Sequence, residues 1–194
     1  MPLIKTFADN IRKELDTFDP IKRKEVVLLF SAHSIPQYVC NRGDPYPAEV
    51  GATVQLVMQE LNWSNPFRLV WQSKVGPLPW LEPGTEQTME AMIKRGQKNL
   101  LLVPIAFVNE HIETLHELDI EYAKDIGEKL GAERIARCPT PNDHPVFIEG
   151  LAQLVDEALK TETRVRPQLL MRCPMCTNAN CGKTKHWIGK IAKN

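Results

Sequence analysis

Apolar residues along the chain follow two different spacings. Leu3, Ile4, Phe7, Ile11 and Leu15 recur at helical intervals and predict a first helix. The run Val26 to Phe30 is apolar without interruption and short, as in a strand buried on both faces. Val50, Val54, Val57 and Leu61 restore the helical period, with Pro47 near the first turn. Phe67 to Trp71 predicts the next strand. Thr85 offers a helix N-cap, Met89, Met92 and Ile93 an apolar stripe, and Gly96 a stop. Leu100 to Ala106 predicts a third buried strand, and His111 to Leu130 a long helix closed by Gly131. Arg134 to Cys138 predicts a short fourth strand. Phe147, Leu151, Leu154, Val155 and Ala158 mark one face of a last amphipathic helix.

Strands alternating with helices predict an α/β fold, with a parallel sheet of about four strands flanked by helices. Ligands of such sheets sit at the carboxyl ends of the strands. Ser31 to Ser34, Gln72 to Lys74 and Phe107 to His111 all fall at that edge. From about Thr161 the periodicity fades. The expected division is an α/β domain over 1–163 and a basic, cysteine-bearing C-terminal extension over 164–194.

Composition narrows the classes. Hydrophobic residues make up 43% and charged residues 25%, as in ordinary globular proteins. Lys+Arg and Asp+Glu both total 24, so no basic footprint points to nucleic acid. No apolar run approaches the ~20 residues of a membrane-spanning helix. Met1 to Phe18 mixes acid and base, unlike a signal or transit peptide.

Three segments carry candidate chemistry. His33 ends a very apolar strand, where a rigid backbone aims a ligand or a general base. Trp80 follows Gly76, Pro77 and Pro79 in a stiff loop suited to wall a flat apolar ligand, whereas Trp71 lies in a strand and reads as core. Glu113, Glu117 and Glu121 are spaced four apart beside Glu110, His111, His116 and Asp119. Like charges at that helical spacing cost roughly 0.2–0.5 kcal/mol per pair. A cation or a shared proton would offset that cost, and carboxylate with imidazole suits a hydrated ferrous ion.

The chain has five cysteines, and Cys173, Cys176 and Cys181 form C-x2-C-x4-C. An odd count argues against a closed disulfide framework, and the clustering argues for zinc or an iron–sulfur centre. Both normally need four ligands, so Cys40, Cys138, His186 or a residue outside the chain must complete the set.

Together these segments resemble ferrochelatase of the animal and fungal kind. The resemblance is carried by Leu28-Leu29-Phe30-Ser31-Ala32-His33-Ser34, Asn41-Arg42-Gly43-Asp44-Pro45-Tyr46-Pro47, Trp71-Gln72-Ser73-Lys74-Val75-Gly76-Pro77 and the stretch from His111 to Tyr122. It runs over nearly the whole chain but covers only the carboxy-terminal half of that enzyme. The chain is therefore expected to be an incomplete fragment. The amino-terminal half would supply one pocket wall, the lip that meets the membrane, propionate contacts and the fourth cluster cysteine.

The resemblance implies a Rossmann-like half of a chelatase that inserts ferrous iron into protoporphyrin IX to make protohaem, the last step of haem biosynthesis. It implies His33 as the residue that accepts pyrrole protons or binds iron, with Glu113 facing it across the pocket. His111 and Glu110 belong to the same proton network, although the family usually has aspartate where Glu110 stands. Glu117 and Glu121 continue away from the site as a route for iron or protons. Trp80, Phe107 and Ser73 border the macrocycle. Cys173, Cys176 and Cys181 hold a 2Fe–2S cluster whose fourth ligand is not in this chain. The family also implies a homodimer associated peripherally with the mitochondrial inner membrane on its matrix side. A non-catalytic metal-stabilised fragment, a zinc-bearing binding module, and a cobalt or nickel chelatase are the rival readings.

Overall fold

The computed structural model describes residues 1–160, together with Asn180 and Lys183. Four strands form one parallel sheet: β1 (Val27–His33), β2 (Phe67–Gln72), β3 (Asn99–Pro104) and β4 (Arg134–Arg137), in the order β2-β1-β3-β4. The helices are α1 (Pro2–Leu15), α2 (Gln37–Asn41), α3 (Tyr46–Glu60), α4 (Thr85–Lys94), a π-helix (Glu113–Ile126), α5 (Gly127–Leu130) and α6 (Pro145–Lys160).

Strand pleating sorts the apolar runs to two faces. Leu28, Phe30 and Ala32 of β1, with Leu101 and Val103 of β3, join Phe7 and Ile11 of α1 and Val54 and Val57 of α3 in one core. Val27 and Leu29, with Leu100 and Leu102, join Met89 and Ile93 of α4 and Leu118 of the π-helix in the other. Continuous apolar runs read as doubly covered strands for this reason, and the predicted α/β layer is the observed one. The order β2-β1-β3 reverses direction at β1. His33 thus ends the strand at the topological switch point, where open α/β sheets form a crevice.

Three predicted details differ. Thr85 is the first residue of α4 and Gly84 is its cap. The Thr85 hydroxyl turns inward instead, 3.1 Å from Ser31 Oγ, because the buried Ser31 needs a polar partner. The helix ending at Gly131 is π-helical over most of its length. Gly131 itself closes it as expected, in the left-handed conformation at φ +71°. Finally, the apolar stripe of α6 is not covered by the described residues: Leu154 and Val155 are more than half exposed. Of α6 only Gly150 is buried, seated on Pro2 of α1. The expected boundary after residue 163 lies outside the described residues.

Candidate active site

The carboxyl end of β1 is held from both sides. Ser34 N–H donates to Gln72 O at 2.9 Å, and the Tyr46 hydroxyl donates to His33 O at 2.9 Å. The imidazole is thereby aimed at the first residue of the π-helix, and His33 Nδ1 lies 2.7 Å from Glu113 Oε2. Both side chains remain about a third or more exposed, at 42% and 35%. The pair was expected to face each other across a pocket. The structure instead joins them directly, because β1 and the start of the π-helix converge at the same edge.

Glu113 is also tied to His111. Its amide N–H donates to His111 Nδ1 at 3.2 Å, which leaves the proton of a neutral His111 on Nε2. The His111 ring packs on Phe107, centroids 4.9 Å apart. Phe107 is 9% exposed, so it supports His111 from below rather than presenting a face to the cleft.

Glu117 is held by three donors. Its Oε2 accepts from Ser73 Oγ at 2.6 Å and Gln72 Nε2 at 3.0 Å, and its Oε1 accepts from the Tyr122 hydroxyl at 2.9 Å. Gln72 is oriented from behind. Ser31 Oγ donates to Gln72 Oε1 at 2.8 Å, so the amide nitrogen is the end that meets Glu117. Ser31, Gln72 and Thr85 are all essentially buried, and this chain of bonds satisfies them.

The π-helix changes which residues stack. Its hydrogen bonds run from i to i+5. The two side-chain pairs within it have that same spacing: Glu117 with Tyr122, and His116 Nδ1 with Glu121 Oε1 at 3.2 Å. Glu121 is thus paired with His116 rather than joined to Glu117. His33, Glu113, Glu117 and Glu121 do not gather into one ligand set. Among the described residues no cluster of three or more metal-ligating side chains forms. Glu117 and Glu121 instead line two openings. One cavity of ≈390 Å³ is bordered also by Ser73, Lys74, Glu82 and Tyr122, and a smaller one of ≈170 Å³ by Glu113 and His116.

Glu110 faces other partners. Its Oε1 accepts from Arg137 Nη1 and from Thr140 N–H, both at 2.9 Å, and its Oε2 from Thr114 Oγ1 at 2.6 Å. Burial alone would raise its pKa, but these donors outweigh it and hold the carboxyl below its ordinary range. Arg137 also grips Asp119 through Nε at 2.6 Å and Nη2 at 3.0 Å. Glu110 is therefore an anchor of the loop before the π-helix, not a group open to the cleft.

Trp80 is fixed beside the segment that follows His33. Gln37 N–H donates to Pro79 O at 2.9 Å and Leu81 N–H to Ile35 O at 3.1 Å. Its indole N–H is buried without a partner among the described residues.

Arg137, Tyr46, Tyr122, Thr114 and Ser31 were not singled out from the sequence. Tyr122 carried no usable signal, since its distance of five from Glu117 brings the two together only on a π-helix. Two tyrosines border carboxylates. Burial and then the charge of Glu113 push Tyr46 up to about 12, and burial and then Glu117 push Tyr122 up as well. Both remain hydroxyl donors at neutral pH.

Of the two described cysteines, Cys138 is the less suited to be a thiolate ligand. Cys138 is fully buried, donates to Pro139 O at 3.5 Å, and is held in the thiol form chiefly by burial. Burial and then Asp44 raise the Cys40 thiol too. Cys173, Cys176 and Cys181 lie outside the described residues.

Comparison with known proteins identifies the family. A family model described as Ferrochelatase matches residues 1–159. A Drosophila melanogaster protein named "Ferrochelatase, mitochondrial" is 56% identical over 99% of this chain and 50% of its own length. The Bos taurus protein of the same name is 57% identical over 96% of this chain and 45% of its own length. The Schizosaccharomyces pombe protein is 46% identical over 93% and 42%. The chain thus spans about half the length of the curated relatives it matches. On the extent of the family match and these identities, the chain belongs to the ferrochelatase family.

Proposed function

We propose that the chain carries the metal-insertion half of a ferrochelatase, which places ferrous iron in protoporphyrin IX to yield protohaem in the last step of haem biosynthesis. The observation that carries the reading is the His33–Glu113 hydrogen bond at the carboxyl end of the sheet, beside the anchored Trp80. Metallation exchanges two pyrrole N–H protons for one divalent cation. His33 is the group to accept a pyrrole proton, and the Glu113 carboxylate at 2.7 Å stabilises the imidazolium that forms. Glu117, then Glu121, offer oxygen donors along a path to the surface for iron arriving or protons leaving. Trp80 and Ser73 border the macrocycle, with Phe107 and His111 as support behind Glu113.

Further elements of this reading rest on the family. Residues 1–163 form the chelatase domain and 164–194 an extension that binds a 2Fe–2S cluster through Cys173, Cys176 and Cys181. The buried Cys138 thiol does not serve as the fourth ligand. Proton-for-cation exchange moves no electron, so a cluster here is structural or regulatory. The names of the relatives support a mitochondrial setting, on the matrix face of the inner membrane as a peripheral homodimer. No helix among the described residues is long and apolar enough to cross a membrane.

The test is an anaerobic iron-insertion assay with protoporphyrin IX. The chain is assayed alone and joined to the amino-terminal half of a relative. Turnover in the joined protein, lost on His33→Ala, is the expected result. A folded joined protein that binds porphyrin but never inserts iron would overturn the assignment.

A further inference from the structure

Strand β2 is an edge of the sheet. Its even-numbered neighbours turn their backbone groups toward β1, since Leu28 N–H donates to Pro66 O and Ser34 N–H to Gln72 O, both at 2.9 Å. Phe67, Leu69 and Trp71, lying between, aim N–H and C=O outward. Trp71 N–H is met by Pro83 O at 3.0 Å. Phe67 and Leu69 have no such partner among the described residues. This part of the edge is therefore open to an added strand.

The two faces beside that open stretch differ in chemistry. On the α3 face, Phe67 and Leu69 join Val54 and Trp63 around an apolar cavity of ≈350 Å³. On the α4 face, Arg68 joins Met92 and Arg95 along a groove of ≈500 Å³. Both arginines are exposed, and neither meets an acid among the described residues. Trp63 lies in the turn that ends α3, where its N–H donates to Met58 O at 2.9 Å. It and Asn62 have φ of 53° and 52°, the left-handed region that side chains avoid. Trp63 is 52% exposed and its ring lies 5.8 Å from that of Phe67. A large aromatic left half in water beside an open strand edge is a surface that a partner can cover.

We propose that this edge binds an extended segment of a partner protein whose residues alternate between acidic and apolar, added as a further parallel or antiparallel strand beside β2. A strand's side chains alternate between faces, so one set enters the Trp63 cavity while the other meets Arg68 and Arg95. Charge chooses the partner. A second copy of β2 would set arginine against arginine, and like charges at an interface are costly. The open stretch begins β2, whereas Gln72 at its far end and Ser73 just beyond it hold Glu117. Binding here is thus separate from iron insertion and does not rest on it.

The test titrates the 194-residue chain into a fluorescein-labelled seven-residue peptide alternating glutamate and valine, read by anisotropy. Saturable binding is expected. Arg68→Ala with Arg95→Ala is expected to weaken it about tenfold through lost charge pairing, and Trp63→Ala by a similar factor. These side chains are exposed, so the variants keep the fold, which far-UV dichroism checks. A peptide N-methylated at the alternate amides facing β2 keeps every side chain but is expected not to bind. Absence of binding, equal binding by the N-methylated peptide, or equal binding by a lysine–valine peptide would overturn the proposal. So would self-association in sedimentation that Trp63→Ala or the paired arginine variant abolishes.

Discussion

His33 and Glu113, 80 residues apart, share one hydrogen bond of 2.7 Å between Nδ1 and Oε2. The bond engages Nδ1 and leaves Nε2 as the ring nitrogen with no hydrogen-bond partner among the described residues. It also places a negative charge where a positive one develops when Nε2 takes a proton. A general base held this way contributes about 10²–10⁴-fold. His33→Ala in the protein joined to its missing half is expected to lower kcat for iron insertion by at least about a hundredfold. Glu113→Gln keeps a hydrogen bond but loses the charge, and should lower kcat with little change in porphyrin affinity. Steady-state kinetics with a separate porphyrin-binding titration reads both. Near-normal turnover of either variant removes that residue from its role.

Tyr46 and Tyr122 supply a pH signature of the same site. Burial and the neighbouring carboxylates favour their neutral forms, and Tyr46 is pushed up to about 12. A folded-state value above the ordinary one means stability is fully present below pH 10, the ordinary value. It is lost as pH rises from there toward about 12. Ultraviolet titration of phenolate is expected to show both residues ionising late, together with loss of structure. Tyr46→Phe and Tyr122→Phe should each remove part of that alkaline loss. An unchanged alkaline limb in the double variant would contradict the assignment.

The sheet and its helices were legible because each apolar run has one physical meaning. Val27 to Phe30 is too short for a helix and too apolar for a surface strand. His33 was legible as a candidate from its place at the strand end, and the fold does set it there. The π-helix was not. Glu113, Glu117 and Glu121 four apart read as an α-helical stripe of like charges, and only the longer i to i+5 period shows that Glu117 turns to Tyr122 and Glu121 to His116. Arg137 left no local trace either. Its partners Asp119 and Glu110 are 18 and 27 residues away and meet it only through the fold. The stripe on α6, which the described residues leave exposed, shows the same limit from the other side: periodicity reports an apolar face, not what lies against it.

Gly150 sets the contact between α1 and α6. A Cβ built there would stand 2.5 Å from Pro2 Cβ and 2.8 Å from Pro2 Cγ. The proline ring cannot rotate away, so the helices must separate. Gly150→Ala is expected to destabilise the domain by about 1–3 kcal/mol, the usual range for overpacking. Helix propensity alone would make this substitution stabilising by roughly 1 kcal/mol. The sign of the change in urea unfolding therefore decides whether the close approach governs.

Arg137 ties the loop before the π-helix, the π-helix itself and β4 into one unit. Its side chain is only 11% exposed, with Glu110 at 20% and Asp119 at 35%. Removing one partner leaves buried charge uncompensated, so Arg137→Met is expected to cost about 3–5 kcal/mol. Arg137→Lys should recover only part of this, since an ammonium cannot grip both oxygens of Asp119 while also holding Glu110. Acid adds an independent check. Glu110 lies below its ordinary value of 4.5, so its contribution is present above that pH. It is lost as pH falls through the lower folded-state value. Urea unfolding between neutral pH and pH 3 should show this loss in the unaltered chain and a shallower one in Glu110→Gln. Because Glu113 begins only three residues after Glu110, loosening this clamp also moves the partner of His33. Arg137→Lys is thus expected to lower kcat more than porphyrin affinity, whereas a substitution that only weakened the fold would leave the kcat of the folded fraction unchanged.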